Sequence, residues 1–514
     1  MGTQGAVFNL VLRDERFDKL FQASDYLRMR LNKIRLERKG GNLPNIQPTF
    51  EDIRKTHILF IHALYKPFVS VASEYSKVLS SGDGSAALTE SGGSVQFNFN
   101  IFGHFTSDMA FHVRFRPIGT ATPTILEPNG DPAAASPRLR FCAYPGVRMF
   151  KKVEFRSNDV LIDDYLRDDV VAWAKHFIPL DQLTGWNRNT GQQELKEADY
   201  FSQQGYTGAF FYKDGLQTPK FLHGAFDMFV PLHFHFCRDA SNALLNDLIP
   251  NTQRTISAEL APLSEIVQAL DQTGAPTALP FSRMQVEISL YVNGLFVNPE
   301  IHDIFSSRIG FSLIRVHRRQ ITPLQLPADS ILLDQLKFPA EFLMVGIRSK
   351  ENALSFDHWF LYGRARARAD TEKIMVPAMI WNTTLGVCEL VCREATEVST
   401  LDPLAESYSV TAHGTTMFMS SPTPFYNAYL PGRYFTSTEL VSPFDSSAAL
   451  IPFCLYPGNY SPSGYYNLSA GRELYLNYVA SQISSDTPAE LVISMAALNF
   501  LIRKGDSVTL KYAM

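Results

Sequence analysis

Cysteine is scarce in this 514-residue chain: there are five, an odd number, spread widely. Such a set argues against a disulfide framework and for free thiols in a reducing compartment. Charge is thin as well. Charged residues make up 19% of the chain and the formal net charge is −4, which argues against polyanion binding by the body of the protein and against sequence-specific nucleic-acid recognition. No run of eighteen apolar residues occurs, so no membrane-spanning helix is expected. The N-terminus lacks a basic-then-apolar signal, and Ala6 stands where myristoylation of Gly2 would need Ser or Thr. A soluble chain made in the cytosol is expected. A phosphate-binding glycine loop, a nucleophile elbow and a zincin helix are all missing. No catalytic residue, cofactor or metal site is therefore expected, and the chain does not read as an enzyme.

What is present favours sheets. Hydrophobic residues reach 45%, with 38 Phe and 21 Tyr, while 30 Pro and 30 Gly interrupt the chain too often for long helices. Aromatic and β-branched side chains fit a pleated surface, so the composition reads as all-β with long loops. The length exceeds what one core can hold and divides naturally into two. Abundant apolar material with little charge suits a chain that buries part of its outside against partners.

The two halves meet in residues 283–320. Val286, Ile288 and Leu290 alternate with polar neighbours, and Asn293-Gly294 predicts a turn or bulge before Leu295 to Val297. Asn298 is a good N-cap, Pro299 suits a first helical turn, and Glu300 complements the helix dipole ahead of Ile301 and His302. Phe311, Leu313, Ile314 and Val316 return to strand composition. The reading is strand, short linker helix over 299–308, strand, with the helix clamping two β-domains at a fixed angle. The domains implied are a basic arm over 1–45, a first β-domain over 46–298 and a second over 309–514. About eight strands precede Asn298, the number one jelly roll needs. Residues 288–297, ISLYVNGLFV, echo residues 493–502, ISMAALNFLI, as if each half closed with a similar strand. FCAYPG at 141–146 and FCLYPG at 453–458 are out of phase with that echo and read as coincidence.

Several segments invite chemistry and also have a plainer reading. In the arm, Leu27, Leu31 and Ile34 recur at helical spacing among Arg28, Arg30, Lys33, Arg35, Arg38 and Lys39, which suits either a solvated edge helix or an arm docking on an acidic or membrane surface. Asp163, Asp164, Asp168 and Asp169 bracket a helix entering at Val170; they read as dipole complements in a solvated turn rather than a metal cluster. His233 and His235, two apart in PLHFHF, would share one strand face. They read as a structural pair, with a cupin-like two-barrel metalloprotein as the alternative. Arg364, Arg366 and Arg368 read as a solvated loop or strand-edge run rather than a phosphate grip. Cys388 and Cys392 lack a second pair of ligands, and the sequons at Asn382 and Asn467 are expected to stay unused. Residues 181–215 read as a long polar loop.

The sequence also resembles a known family. The blocks are THILFIHALYKPFVSVASEYSKV at 56–78, CAYPGVRMFKKVEF at 142–155, QTPK at 217–220, NGLFVNPEIHDIF at 293–305, FSLIRVH at 311–317, SVTAHG at 409–414, PSGYYNLS at 462–469 and AALNFLIRKGDSVTLKY at 496–512. They run in order along nearly the whole chain. They are similar to the double jelly-roll major capsid proteins of nucleocytoplasmic large DNA viruses, in the asfarvirus and faustovirus branch. The resemblance implies two tandem eight-stranded jelly rolls, a homotrimer forming a pseudo-hexameric capsomer, and a large icosahedral capsid tiled by such capsomers. It further implies loops that build outer towers, contacts with neighbouring capsomers and minor capsid proteins, an N-terminal arm towards the inner side and its membrane, a viral folding chaperone, and assembly in factories of the host cytoplasm. The segment between Gly191 and Gln217 is short for the family, so a reduced first tower is expected.

Overall fold

The computed structural model describes residues 71–119, 137–192 and 215–512, with short breaks at 82–84, 101, 159, 250–252, 272–273, 300–301, 304–305, 307–309, 368–373, 383–386, 396–397, 435–439, 444, 460, 470–472 and 506. The basic arm, with Arg28, Arg30, Lys33, Arg35, Arg38 and Lys39, lies outside the described residues.

The protein is mostly β and contains two β-sandwich regions. Eight strands build the first: β1 (Val71–Leu79), β2 (Gly93–Phe99), β3 (Phe105–Phe115), β4 (Phe150–Ser157), β5 (Val160–Leu166), β6 (Phe226–Pro231), β7 (Arg254–Leu260) and β8 (Arg283–Val297). They form sheets of order β1-β8-β3-β6 and β2-β7-β4-β5. Eight more build the second: β9 (Phe311–Leu324), β10 (Ala328–Leu332), β11 (Pro339–Ser349), β12 (Ser407–Ala412), β13 (Thr415–Pro422), β14 (Ala449–Pro452), β15 (Leu474–Val479) and β16 (Ala489–Lys504). Their sheets run β9-β16-β11-β14 and β10-β15-β12-β13. The two orders are the same once the second is renumbered from its first strand, and each is the order of a jelly roll, two Greek keys wrapped together.

Period-two alternation explains the first sandwich. In β3, Phe111, Val113 and Phe115 are buried while His112 and Arg114 turn outward. Their rings meet the facing sheet, with Phe111 stacked on Phe150 at 4.6 Å and tilted against Phe97 at 5.4 Å. The strand β8 is one 15-residue strand with the expected irregularity: its register against β3 shifts between Val292 and Gly294. A side chain at Gly294 would collide with the ring and carbonyl of Phe102, so only glycine lets that segment approach.

Other expectations are revised. The segment after Phe226 leaves strand conformation at Pro231, and His235–Arg238 is a helical turn. His233 and His235 therefore do not share a strand face, because Phe234 and Phe236 both enter the core, against Phe155 at 5.6 and 5.5 Å. Residues 409–418 form a hairpin, turning at His413 and Gly414 with φ of 51° and 72°. Residues 145–148 form a helical turn. The two longest helices among the described residues stand outside an all-β description, α1 (Arg167–Phe177) and α2 (Leu180–Thr190). The second occupies part of the expected long loop; Gly191 ends it with φ 79°, and Trp186 packs against Trp173. Among the described residues no helix is long and apolar enough to cross a membrane.

Candidate functional site

A polar cluster lies in the seam between the sandwiches, and it contains the four aspartates of residues 163–169. Asp163, Asp164 and Asp169 are buried and Asp168 is half-buried, so they do not form the solvated turn expected. Strand β5 brings Asp163 and Asp164 to the edge of the first sandwich, and α1 begins directly after it. The α1 start is held by the Asp169 carboxylate, which accepts the backbone N–H of Leu166 at 2.8 Å. All four carboxylates face basic or hydroxyl groups of the second sandwich. Asp163 accepts the backbone N–H and the Nδ1 of His317, both at 2.9 Å. The Nε2 of the same ring accepts from Arg238 at 2.5 Å, so the tautomer with its proton on Nδ1 satisfies both contacts. Asp164 pairs with Arg319, whose other nitrogen lies 3.5 Å from Asp169. Asp169 also accepts from Ser494 on β16 at 2.6 Å, and Asp168 pairs with Arg348 on β11 at 2.9 Å. Burial works against an ionised Asp164, yet the Arg319 guanidinium outweighs it and holds the carboxyl below its ordinary range. At Asp169 burial prevails over His317 and Arg319 and pushes the carboxyl up.

An apolar wedge reinforces the charges. One side of α1 lies on the outer face of the second sandwich, where Ala172 and Phe177 join Phe342, Met344, Leu450 and Ala496 in one buried cluster. At its end Lys175 reaches Asp445 at 2.7 Å and the carbonyl of His176 accepts Val441 N–H at 2.7 Å. On the far side the loop after β11 grips the first sandwich. The Trp359 indole donates to the carbonyl of Ala143 at 2.7 Å, while the guanidiniums of Arg148 and Arg167 lie 5.4 and 5.7 Å from its ring. Arg140 pairs with Asp357 at 3.0 Å. Buried ion pairs add little net stability, because desolvation offsets the attraction, but an unmatched charge is so costly that such a set fixes one geometry. Chemically the seam is a lock between the two sandwiches.

The linker makes a smaller contribution. Pro299, His302 and Asp303 are helical, and His302 N–H reaches the carbonyl of Asn298 at 3.1 Å. The His302 ring stacks on His104 at 4.4 Å and its Nε2 lies 3.1 Å from Asp247. Glu300 and Ile301 fall outside the described residues. His233 is enclosed by Trp173 at 4.8 Å, Trp186 at 5.6 Å and Tyr165 at 5.9 Å. Burial drives His233 and His235 well below the ordinary histidine range, and neither Nε2 has a hydrogen-bond partner among the described residues. No group of three His, Cys, Asp or Glu among the described residues is placed to hold a metal. The strand Arg364–Ala367 pairs with Val398–Asp402, and Arg368 is not among the described residues.

Sequence reasoning missed the seam because it took the aspartates one turn at a time. The available signal was complementarity: Arg315, His317 and Arg319 recur at strand spacing inside an apolar strand, a pattern that needs buried acids opposite.

No family model matches the sequence. The chain is similar to the major capsid protein of African swine fever virus, isolate Warthog/Namibia/Wart80/1980, at 25% identity over 650 positions covering 99% of each chain. It is also similar to the hexon protein p72 of strain Badajoz 1971 Vero-adapted, at 26% identity with the same coverage. Among solved structures the Faustovirus major capsid protein superposes with a TM-score of 0.69 and 27% identity, over 94% of this chain and 98% of that one. The PBCV-1 capsid structure matches in fold, with a TM-score of 0.62 at 16% identity over 88% of this chain and 100% of that one.

Proposed function

We infer that this chain, a double jelly-roll viral major capsid protein related to those of African swine fever virus and Faustovirus, closes into a ring of three copies with a pseudo-hexagonal outline. It is a structural protein of the virion, not an enzyme, and it forms capsomers of a large icosahedral capsid. The observation that carries the trimer reading is the repetition of one strand order in two sandwiches fused by a buried seam. Two similar modules per chain let three-fold symmetry approximate a six-sided tile, and a rigid seam keeps the modules at one angle. Residues 46–298 and 309–514 are the two jelly rolls in this reading, with Asn298, Pro299, Glu300, Ile301 and His302 in the linker.

The excursion between β11 and β12 supports an outer tower on the second module, since it contains the two-stranded ribbon of Ile374–Asn382 with Val387–Ala395. The match to the African swine fever virus protein spans 650 positions against 514 residues here, so the relative carries insertions, consistent with a reduced first tower. The basic arm contacts minor capsid proteins or the inner membrane, and folding uses a viral chaperone in cytoplasmic factories. Imaging and sedimentation of the purified protein test the reading: a six-sided particle of three 57.7 kDa chains is expected, and a monomer or a round dimer overturns it. Deleting residues 1–40 should leave trimers intact and disrupt the inner layer of assembled capsids.

A further inference from the structure

The echo between the closing strands, 288–297 and 493–502, carries their partners with it. On β8, Asn293, Tyr291 and Ser289 face Tyr75, Lys77 and Leu79 of β1. At the matching positions of β16, Leu498, Ala496 and Ser494 face Arg315, His317 and Arg319 of β9. Tyr75, Lys77 and Leu79 are therefore the first-sandwich counterparts of the three basic residues of β9. The hydrogen bonding repeats as well. Arg315 binds Glu341 at 2.5 Å, and the Tyr75 hydroxyl donates to Asp108 at 2.6 Å, each acid sitting in the bulge of the strand beyond.

The other side of the seam has its counterpart too. The β4–β5 hairpin turns at Asn158 with φ 50° and the β12–β13 hairpin at His413 with φ 51°. In both, the third residue of the outgoing strand, Ile162 or Met417, is skipped in the register. Asp163 and Asp164 thus correspond to Phe418 and Met419. Within the chain Asp164 meets Arg319; their counterparts are Met419, 78% exposed, and Leu79, 59% exposed. Strands β1 and β13 are exposed along most of their length, whereas the matching β9 and β5 are largely covered.

We propose that β13 of one copy docks on β1 of a second copy, repeating between chains the β5–β9 contact made within one, with Met419 against Leu79 where Asp164 meets Arg319. Three such contacts alternate with three internal seams and close the ring. The change of chemistry has a reason. Charges at an interface between separate chains would have to be desolvated at each encounter, whereas an apolar pair gains from leaving water. The internal seam forms once during folding, where a charge set that tolerates one register is an advantage.

The proposal rests on the trimer reading, and sedimentation of purified full-length protein separates the two. Leu79→Arg and Met419→Asp should each raise the trimer dissociation constant at least tenfold while leaving the thermal midpoint of the chain unchanged. The double variant, which rebuilds between chains the pair found at Asp164 and Arg319, should recover the trimer. A Leu79→Cys/Met419→Cys variant should form, on oxidation, disulfide-linked ladders of up to three chains that neither single cysteine variant gives. A wild-type trimer that both charged variants leave intact, or a folded double-cysteine trimer that does not cross-link, overturns the docking while sparing the trimer. A monomeric wild type overturns the trimer reading itself.

Discussion

The equivalent strands β3 and β11 occupy the same position in their sandwiches and differ in what covers them. In β3 inward residues are buried and outward ones graded towards solvent, so the sequence FHVRF alternates. In β11 all eleven residues are buried, and the sequence EFLMVGI is nearly continuous in apolar character. The second face of β11 is covered by α1, a piece of the first sandwich, through Phe177 against Phe342 at 5.6 Å. One jelly roll thus lends a helix to the other, and the borrowed layer makes the pair one stiff body. The same contrast holds for the polar groups: Arg315 and Glu341 are buried in the second sandwich, whereas of their counterparts in the first Tyr75 is exposed and Asp108 half-buried.

The sharpest break of this comparison is Glu341→Ala. Removing one member of a buried pair should cost about 3–5 kcal/mol, read as a drop in the urea midpoint of the full chain. An effect under about 1 kcal/mol would show that the burial does not matter. Acid comes next. His176 is held down to about 3 by burial, and His233 and His235 well below the ordinary value for the same cause. A depressed folded-state histidine stabilises above the unfolded value near 6.5 and loses that contribution as pH falls, by about 1.4 kcal/mol per pH unit for each. Asp164 and Asp445, held low by Arg319 and Lys175 against the opposing effect of burial, lose their contribution only below about 3.8. Asp169, pushed up by burial, works the opposite way once it protonates. Urea midpoints should therefore fall between pH 7 and pH 5, and His233→Phe should flatten that slope. An unchanged slope would remove His233 from the account.

Smaller is Gly346→Ala on β11. The added methyl would run into the ring of Tyr362, and overpacking of this kind costs about 1–3 kcal/mol. Smallest is Asp108→Ala, which removes the half-buried counterpart of Glu341. A loss below about 1 kcal/mol in the same urea assay is expected there, and a loss matching that of Glu341→Ala would erase the distinction between the two sandwiches.

Much of this was legible before any coordinates. The alternation of Phe111, Val113 and Phe115, the bulge at Asn293-Gly294 and the likeness of the closing strands all follow from side-chain period and glycine geometry, which are local. The seam was not. Asp163, Asp164, Asp168 and Asp169 acquire meaning only from Arg319, Arg348 and His317, more than 140 residues away, and local rules assign such acids to a solvated helix start. His233 and His235 were misplaced on a strand face for a related reason. Alternation is a property of extended chain, and two phenylalanines bound for one core made the chain turn.

By itself the sequence determined that this is a β-rich chain with material for two cores and an internal echo, because composition and periodicity are fixed residue by residue. Only the tertiary structure decided which charges are buried together, which sandwich lends its helix, and that strands such as β1 and β13 stay exposed. Those outcomes depend on desolvation, and a side chain is desolvated only by what the rest of the fold sets beside it.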